Sequence, residues 1–423
     1  QEVEILTLED CLRIGIDNNL SLEGKRKEIQ RSKYGVSENR SKLLPQINAI
    51  AGYSNNFDPP VSVTDGSSYG VPYNITQTLQ HSANAGLEMQ MPLFNQTLYT
   101  SMSIAKVMEE ISRLSYGKAR EDVILQISKM YYLGQVTAEQ IMLIKANITR
   151  LEELRDITQA FFDNGMSMEV DLKRVNINLE NLKVQYDNAQ AMMKQQLNML
   201  KYIMDYPAEK EIALTPVNTD SITTVALTGL SENIYELQLS QSQVQLAERQ
   251  KKIITNGYIP SLSLTGSWRY AAYTDKGYHW FHSGPSNQWF RSYGVGLTLR
   301  IPIFDGLDKT YKIKKAMIDI ENKRLAWEDA RKNLQTQYLN AVNDLMNNQR
   351  NFKKQKDNYL LAEDVYAVTS DRYREGIASM TEVLQDEMQM SEAQNNYISA
   401  HYNYRVTNLM LLKLTGQIES LVK

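Results

Sequence analysis

The tract His279-Trp280-Phe281-His282, with Asp275 nearby, sets two imidazoles and a carboxylate close together, and these are side chains that ligate zinc. Two histidines without a third ligand at a fixed spacing do not complete a site, so no metal is expected. The other histidines offer no more. His81 borders a loop, His401 falls on a helix among tyrosines, and neither has an evident nucleophile or acid as a partner. The single cysteine, Cys11, excludes a disulfide framework or a Cys-based cluster within one chain. There is no glycine-rich phosphate loop and no Ser/His/Asp constellation, and Asn74-Ile75-Thr76 is a sequon of the kind that arises by chance. Neither catalysis nor a cofactor is expected. Nucleic acid is an equally poor partner: 46 basic and 49 acidic residues leave a net charge of −3, with no basic field to displace counterions from phosphates.

What the chain does carry is long-range pattern. Its 423 residues would ordinarily suggest two or three domains. A mean hydropathy of −0.44, without a run of about 18 apolar residues, excludes a conventional helical membrane protein. The prolines divide the rest. Pro59, Pro60, Pro72 and Pro285 lie in polar, loop-like stretches, and Pro207 and Pro216 separate two helical regions. Pro45, Pro92, Pro260 and Pro302 stand at the edges of alternating segments. Between them run the proline-free tracts 1–44, 93–206, 217–259 and 303–423, where long helices can exist. Ile104, Val107, Ile111 and Leu114, like Ile141, Ile144, Ile148 and Leu151, recur at three and four residues among polar neighbours, which predicts amphipathic helices with a coiled-coil-like seam. A helix over about 96–162 would be roughly 100 Å long, as would a second over about 307–374, too long for a compact domain. Helices over about 8–43 and 168–205 together match one such rod, so end-to-end stacking beside it would make a uniform tube wall.

The two halves repeat at an offset near 210 residues. Leu44-Pro45-Gln46-Ile47 corresponds to Ile259-Pro260-Ser261-Leu262. Met91-Pro92-Leu93-Phe94-Asn95 corresponds to Ile301-Pro302-Ile303-Phe304-Asp305, and Phe162-Asp163-Asn164-Gly165 to Tyr373-Arg374-Glu375-Gly376. The period is far longer than a solenoid unit and marks an internal duplication.

Four segments of about 9–13 residues alternate with period two, the length a tilted strand needs to cross a bilayer. Ile47, Ala49, Ala51 and Tyr53 oppose Gln46, Asn48, Ile50 and Gly52. In the second segment Leu87, Met89, Met91 and Leu93 oppose Gly86, Glu88 and Gln90. In the third Leu262, Leu264, Trp268 and Tyr270 oppose Ser263, Thr265, Ser267 and Arg269, and in the fourth Tyr293, Val295, Leu297 and Leu299 oppose Ser292, Gly294, Gly296 and Thr298. A sheet packed on soluble helices would alternate in the same way, but the helices are committed to rods and leave no layer to cover it. Tyr273, Tyr278, Trp280, Phe281, Trp289, Phe290 and Tyr293 gather at one end, as an interfacial aromatic girdle would. Leu87, Met89, Leu262, Leu264, Trp268, Tyr293, Val295, Leu297 and Leu299 are the expected lipid-facing residues. Four strands cannot close, and an open edge cannot sit in hydrocarbon. The small, polar opposite face suits a wet lumen, which favours three chains and twelve strands over two chains and eight.

With these elements in place, the chain resembles the TolC-like family of outer-membrane efflux proteins, from Leu8-Glu9-Asp10 to Leu414-Thr415-Gly416. The most specific parts are Pro92-Leu93-Phe94 and Pro302-Ile303-Phe304-Asp305-Gly306. The glycine turns followed by Met168-Glu169-Val170-Asp171-Leu172 and Met380-Thr381-Glu382-Val383-Leu384 add to them. The resemblance implies a mainly α fold with a β-barrel part: long antiparallel coiled-coil helices forming a periplasmic tunnel, and four transmembrane strands per chain closing as a trimeric twelve-strand barrel. On it, residues 1–44 are the first short helix, 45–94 the first strand pair, and 95–206 a long helix, tip turn and returning helix. Residues 207–231 form an equatorial crossover, 232–259 the short helix of the second repeat, 260–304 the second strand pair, 305–416 the second long helix, tip turn and returning helix, and 417–423 a tail. Gln1 would follow a removed signal peptide, and lipid anchoring is not indicated.

The resemblance also implies function: a homotrimeric exit channel in the outer membrane, conducting passively from a periplasmic adaptor and an inner-membrane pump. The alternative is a trimeric coiled-coil scaffold without a pore. Gly165, Met166, Gly376 and Ile377 would form the adaptor-contacting tip turns. Asp171 and Glu382 fall at equivalent positions early in the returning helices, where a favourable macrodipole interaction would explain them. The resemblance places Glu382 instead at a pore entrance, in a ring of acids. Gln385 replaces the acid of a second ring, with Asp386 adjacent; Tyr373 keeps a gate tyrosine, and Ala378 stands where the family has a locking arginine.

Overall fold

The computed structural model describes residues 3–59, 61–65, 67, 70–77, 79–217, 229–274 and 289–422. Asp275, Tyr278, His279, Trp280, Phe281, His282 and Pro285 lie outside the described residues, and with them the candidate metal ligands. Among the described residues no helix is long and apolar enough to cross a membrane.

The chain runs β1 (Glu4–Leu6), α1 (Leu8–Asn18), α2 (Leu20–Ser41), β2 (Gln46–Asn55), β3 (Val61–Asp65), β4 (Tyr73–Gln77), β5 (His81–Phe94), α3 (Gln96–Asp163), α4 (Glu169–Met204) and β6 (Ile212–Leu214). It continues through α5 (Tyr235–Asn256), β7 (Ser261–Thr274), β8 (Trp289–Arg300), α6 (Asp308–Arg374), α7 (Met380–Leu414) and a short 3-10 turn over Ile418–Val422. The proline-free tracts hold the long helices. α3 has 68 residues and α6 has 67, each about 100 Å long at ~1.5 Å per residue.

Three features depart from the reading of the sequence. The helix expected over about 8–43 divides at Asn19, whose backbone turns extended (ψ 119°). Its side chain serves both sides of the break: Nδ2 donates to the Ile203 carbonyl at 2.7 Å, and Oδ1 accepts from the Leu22 amide at 3.1 Å. β1 and β6 pair in parallel, Glu4 opposite Ile212 and Leu6 opposite Leu214. Strands this short carry too few residues for alternation to show. The third departure is β3 and β4, which form an antiparallel hairpin inside the stretch read as loop.

The elements divide into two compact units. One comprises Gln1–Ile29, Ile111–Gln241 and Arg324–Lys423 and is helical apart from β1 and β6. Its cores are built where helices share apolar stripes. Leu12, Leu22, Ile124, Ile127, Leu200, Met204 and Leu409 are enclosed in one, and Leu151, Leu154, Val175, Leu179, Val383 and Met390 in another. The other unit comprises Gln30–Glu110 and Ser242–Lys323 and holds a four-stranded antiparallel sheet ordered β2-β5-β7-β8.

Candidate functional site

The sheet's register aligns the alternation of all four strands. Ile47 lies opposite Met89, Met89 opposite Gly266, and Gly266 opposite Val295. The neighbouring rows are Ala49, Leu87, Trp268 and Tyr293, and then Met91, Leu264 and Leu297. Directly opposed residues share a face, so every residue expected to face lipid stands on one side. That side is uncovered in a single chain: Tyr293 is 77% exposed, Val295 80% and Leu297 66%. A contiguous apolar face of this kind marks an interaction surface. The strands have 10, 14, 14 and 12 residues. Ten residues at ~3.3 Å and a tilt of ~40° rise about 25 Å, the height of a barrel's apolar band.

The opposite face is small and polar. Rows there read Asn48, Glu88, Ser267 and Gly294, and Gln46, Gln90, Thr265 and Gly296. Its central feature is an ion pair between Glu88 and Arg269, which sequence reading did not identify. The Arg269 side chain reaches Glu88 by lying over Gly86, where a Cβ would also collide with the β7 backbone. Pro92 sits in β5 beyond the end of its pairing with β2, which stops at Gln90, so a residue without an N–H faces a partner on the β7 side alone. The register shifts between Pro92 and Phe94 to absorb it.

The second candidate region is the pair of helix reversals. Gly165 has φ 74° and Gly376 φ 75°, and both close Schellman motifs. The Met166 amide donates to the Phe161 carbonyl at 2.8 Å and that of Gly165 to Phe162 at 2.9 Å; Ile377 donates to Arg372 at 2.8 Å and Gly376 to Tyr373 at 2.9 Å. Met166 and Ile377 project into solvent. The returning helices start differently. Ser379 caps α7 in a capping box: its hydroxyl accepts from the Glu382 amide at 3.3 Å, and the Glu382 carboxylate accepts from the Ser379 amide at 2.7 Å. Those bonds, backbone first, hold the Glu382 carboxyl below its usual range. On α4 the cap position is Met168, which makes no side-chain cap bond. Asp171, at the same third helical position, pairs with Arg174 at 3.2 Å, and Arg174 reaches on to the Thr381 hydroxyl at 3.3 Å. Glu382 and Gln385 are exposed and Asp386 half-buried. Tyr373 stands apart from them, buried against Phe161 with its hydroxyl 3.3 Å from that of Thr158. A single chain thus does not bring the five candidate gate residues onto one surface.

A third feature, not indicated by apolar spacing, lies along α7. Along α7 and its C-cap Thr415, Val383, Met390, Tyr397, Tyr404 and Leu411 are buried at seven-residue intervals, and so are Glu387, Gln394, His401, Asn408 and Thr415. One position of the heptad is thus apolar and the other polar throughout, a pattern the sequence displays to anyone reading every seventh residue. Gln394 pairs with Asn147, whose Nδ2 donates to it at 2.7 Å. His401 corrects the reading that it lacks an acid partner: its Nδ1 is 3.4 Å from Glu139. Arg405 Nε donates to His401 Nε2 at 3.0 Å, which leaves Nδ1 as the ring nitrogen that faces the carboxylate. Glu387 Oε1 has no hydrogen-bond partner among the described residues, and burial pushes its carboxyl up to about 7. His81, likewise, has a partner in Tyr53, whose hydroxyl is 2.8 Å from its Nδ1.

Comparison with known proteins places this geometry. The model of the outer membrane efflux protein family matches residues 14–204 and again 226–417, once for each repeat. The chain is 21% identical over 399 residues to the outer membrane protein TolC of Vibrio cholerae, covering 90% of this chain and 84% of that one. It is 23% identical over 431 residues to the probable efflux pump outer membrane protein TtgC of Pseudomonas putida, covering 97% and 82%. Among solved structures, that of CusC superposes with a TM-score of 0.80 at 16% identity, over 96% of this chain and 91% of the other, a likeness of fold.

Proposed function

Because this chain belongs to the outer membrane efflux protein family, and is thereby an outer-membrane efflux channel rather than an enzyme, we propose that three copies close one twelve-strand barrel that conducts substrate passively out of the periplasm. The observation that carries this reading is the pair of open edges. Among the described residues β2 and β8 each lack a partner on one side, and lipid cannot satisfy the free amides and carbonyls of an edge. A second copy of β8 alongside β2 would satisfy both. Exposed apolar side chains on the helices support the same closure. Val170, Ile177 and Val184 on α4 recur every seven residues, and Leu325, Leu339, Met346 and Leu360 on α6 recur at multiples of seven, seams suited to a neighbouring helix.

In the assembled channel the helices form a periplasmic tunnel. The tips at Gly165, Met166, Gly376 and Ile377 meet a periplasmic adaptor, which couples the channel to an inner-membrane pump; the relative TtgC is named as the outer membrane protein of a probable efflux pump. Three Glu382 side chains, with Asp171, Gln385 and Asp386 close by, ring the entrance, where like charges attract cations. Glutamine keeps the N3 role in a capping box, so Glu382→Gln removes charge without removing the helix start. Its conductance and cation block in planar bilayers test the ring, and unchanged values refute it. The channel itself is tested by fractionation and electrophoresis: heat-modifiable trimers in the outer membrane are expected. A monomer soluble without detergent refutes the barrel.

A further inference from the structure

At the helix-proximal end of the sheet's polar face lies a cavity of about 410 Å³, lined by Lys42, Gln46, Gln90, Asn95, Arg300, Ser261, Ser263 and Thr298. Pro92, Phe94 and Leu98 give it an apolar wall. Its charge is one-sided. Among the described residues Arg300 forms no ion pair, and Lys42, which donates to the Asn39 side-chain carbonyl at 3.2 Å, has the exposed Glu38 as its nearest carboxylate, at 3.9 Å. Elsewhere on the polar face the arginine is neutralised, since Arg269 pairs with Glu88.

The N-terminus of α3 adds to the positive field, because Asn95 and Leu98 belong to both the cavity and the helix start. Asn95 Oδ1 accepts from the Thr97 amide at 3.0 Å, and the first turn of α3 contains no acid. The equivalent residue of the second repeat is Asp305, whose carboxylate is paired with Lys309 at 3.0 Å. The duplication therefore places a neutral amide at the cavity and an acid at its counterpart.

We propose that this cavity is a subsite for an anionic amphiphile: a carboxylate, sulfate or phosphate group held between Lys42 and Arg300, with an apolar body against Phe94 and Leu98. This rests on the reading of the polar face as a channel lumen, where such a solute would pause during export. The probe is 2-naphthalenesulfonate, titrated by fluorescence against the full chain in non-ionic detergent, with neutral 2-naphthol and inorganic phosphate as competitors. Saturable binding that weakens with salt is expected, about tenfold weaker in Arg300→Gln and weaker still with Lys42→Gln added. Arg291→Gln, on the opposite face of β8, should bind as the unaltered chain does. 2-Naphthol should not displace the probe, and phosphate should do so only weakly. Equal losses in Arg300→Gln and Arg291→Gln, or displacement by 2-naphthol as effective as by the sulfonate, would overturn the subsite. Conductance of the same preparation separates the two ideas: binding without pores rejects the channel and keeps the subsite, whereas pores without site-dependent binding reject the subsite alone.

Discussion

Val295→Arg separates a lipid-facing sheet from one that faces water. Val295 lies midway along β8, in a row with Ile47, Met89 and Gly266, and is 80% exposed in a single chain. If that face meets water, arginine at so exposed a position should change stability by no more than about 0.5 kcal/mol. If it meets acyl chains, arginine near the midplane costs about 2–4 kcal/mol per strand, and three copies in one ring bring the total to about 6–12 kcal/mol. That is as large as the stability of many whole domains. The control is Asn48→Arg, one register step away on the polar face and level with Glu88, where the new charge stays in water. Heat-modifiable trimer in outer-membrane fractions, with urea unfolding from phospholipid vesicles, reads both. Val295→Arg should lose most of its trimer while Asn48→Arg retains it. Equal behaviour of the two variants would refute the assignment of faces.

Other consequences concern the helices. Gly376→Ala should lower stability by about 1–2 kcal/mol through its left-handed backbone alone, since no atom lies within 4 Å of the added Cβ; thermal unfolding checks this, and Gly376→Asn should lose less. Met168→Ser should supply the cap that α4 lacks and stabilise its first turn by about 1 kcal/mol, whereas Ser379→Ala should cost α7 about as much; amide exchange in the two turns reports both. Glu387 has a carboxyl raised in the folded state to about 7, so its ionisation opposes folding. The penalty is absent below about pH 4, grows as pH rises, and is complete above pH 7. Glu387→Gln should therefore stabilise by about 3 kcal/mol at pH 8 and by nothing at pH 4, read as the pH dependence of the denaturation midpoint.

Much of this architecture stood in the residue order because its signals are local. Proline-free tracts delimit α3 and α6, since a single proline would break either rod, and three-and-four spacing marks α3 as well. Period-two alternation after Pro45 and Pro260 and before Pro92 and Pro302 reveals four strands, because successive side chains must point to opposite faces. Gly165 and Gly376 mark the reversals, where a left-handed residue is needed. The seven-residue polar series on α7 is equally present in the sequence, but a seam that is half polar leaves no mark in apolar spacing.

What tertiary structure alone decided are matters of partnership. Sequence determines which side of a strand is apolar; only pairing aligns Ile47, Met89, Gly266 and Val295 into one continuous face, and sets Arg269 across Gly86 to meet Glu88. The break at Asn19 depends on the carbonyl of Ile203, far away in the chain. The carboxylate beside His401 comes from Glu139 on another helix, and the burial of Glu387 is a property of the packed helices rather than of its own. Such contacts join residues whose separation along the chain carries no period, so no spacing in the sequence announces them.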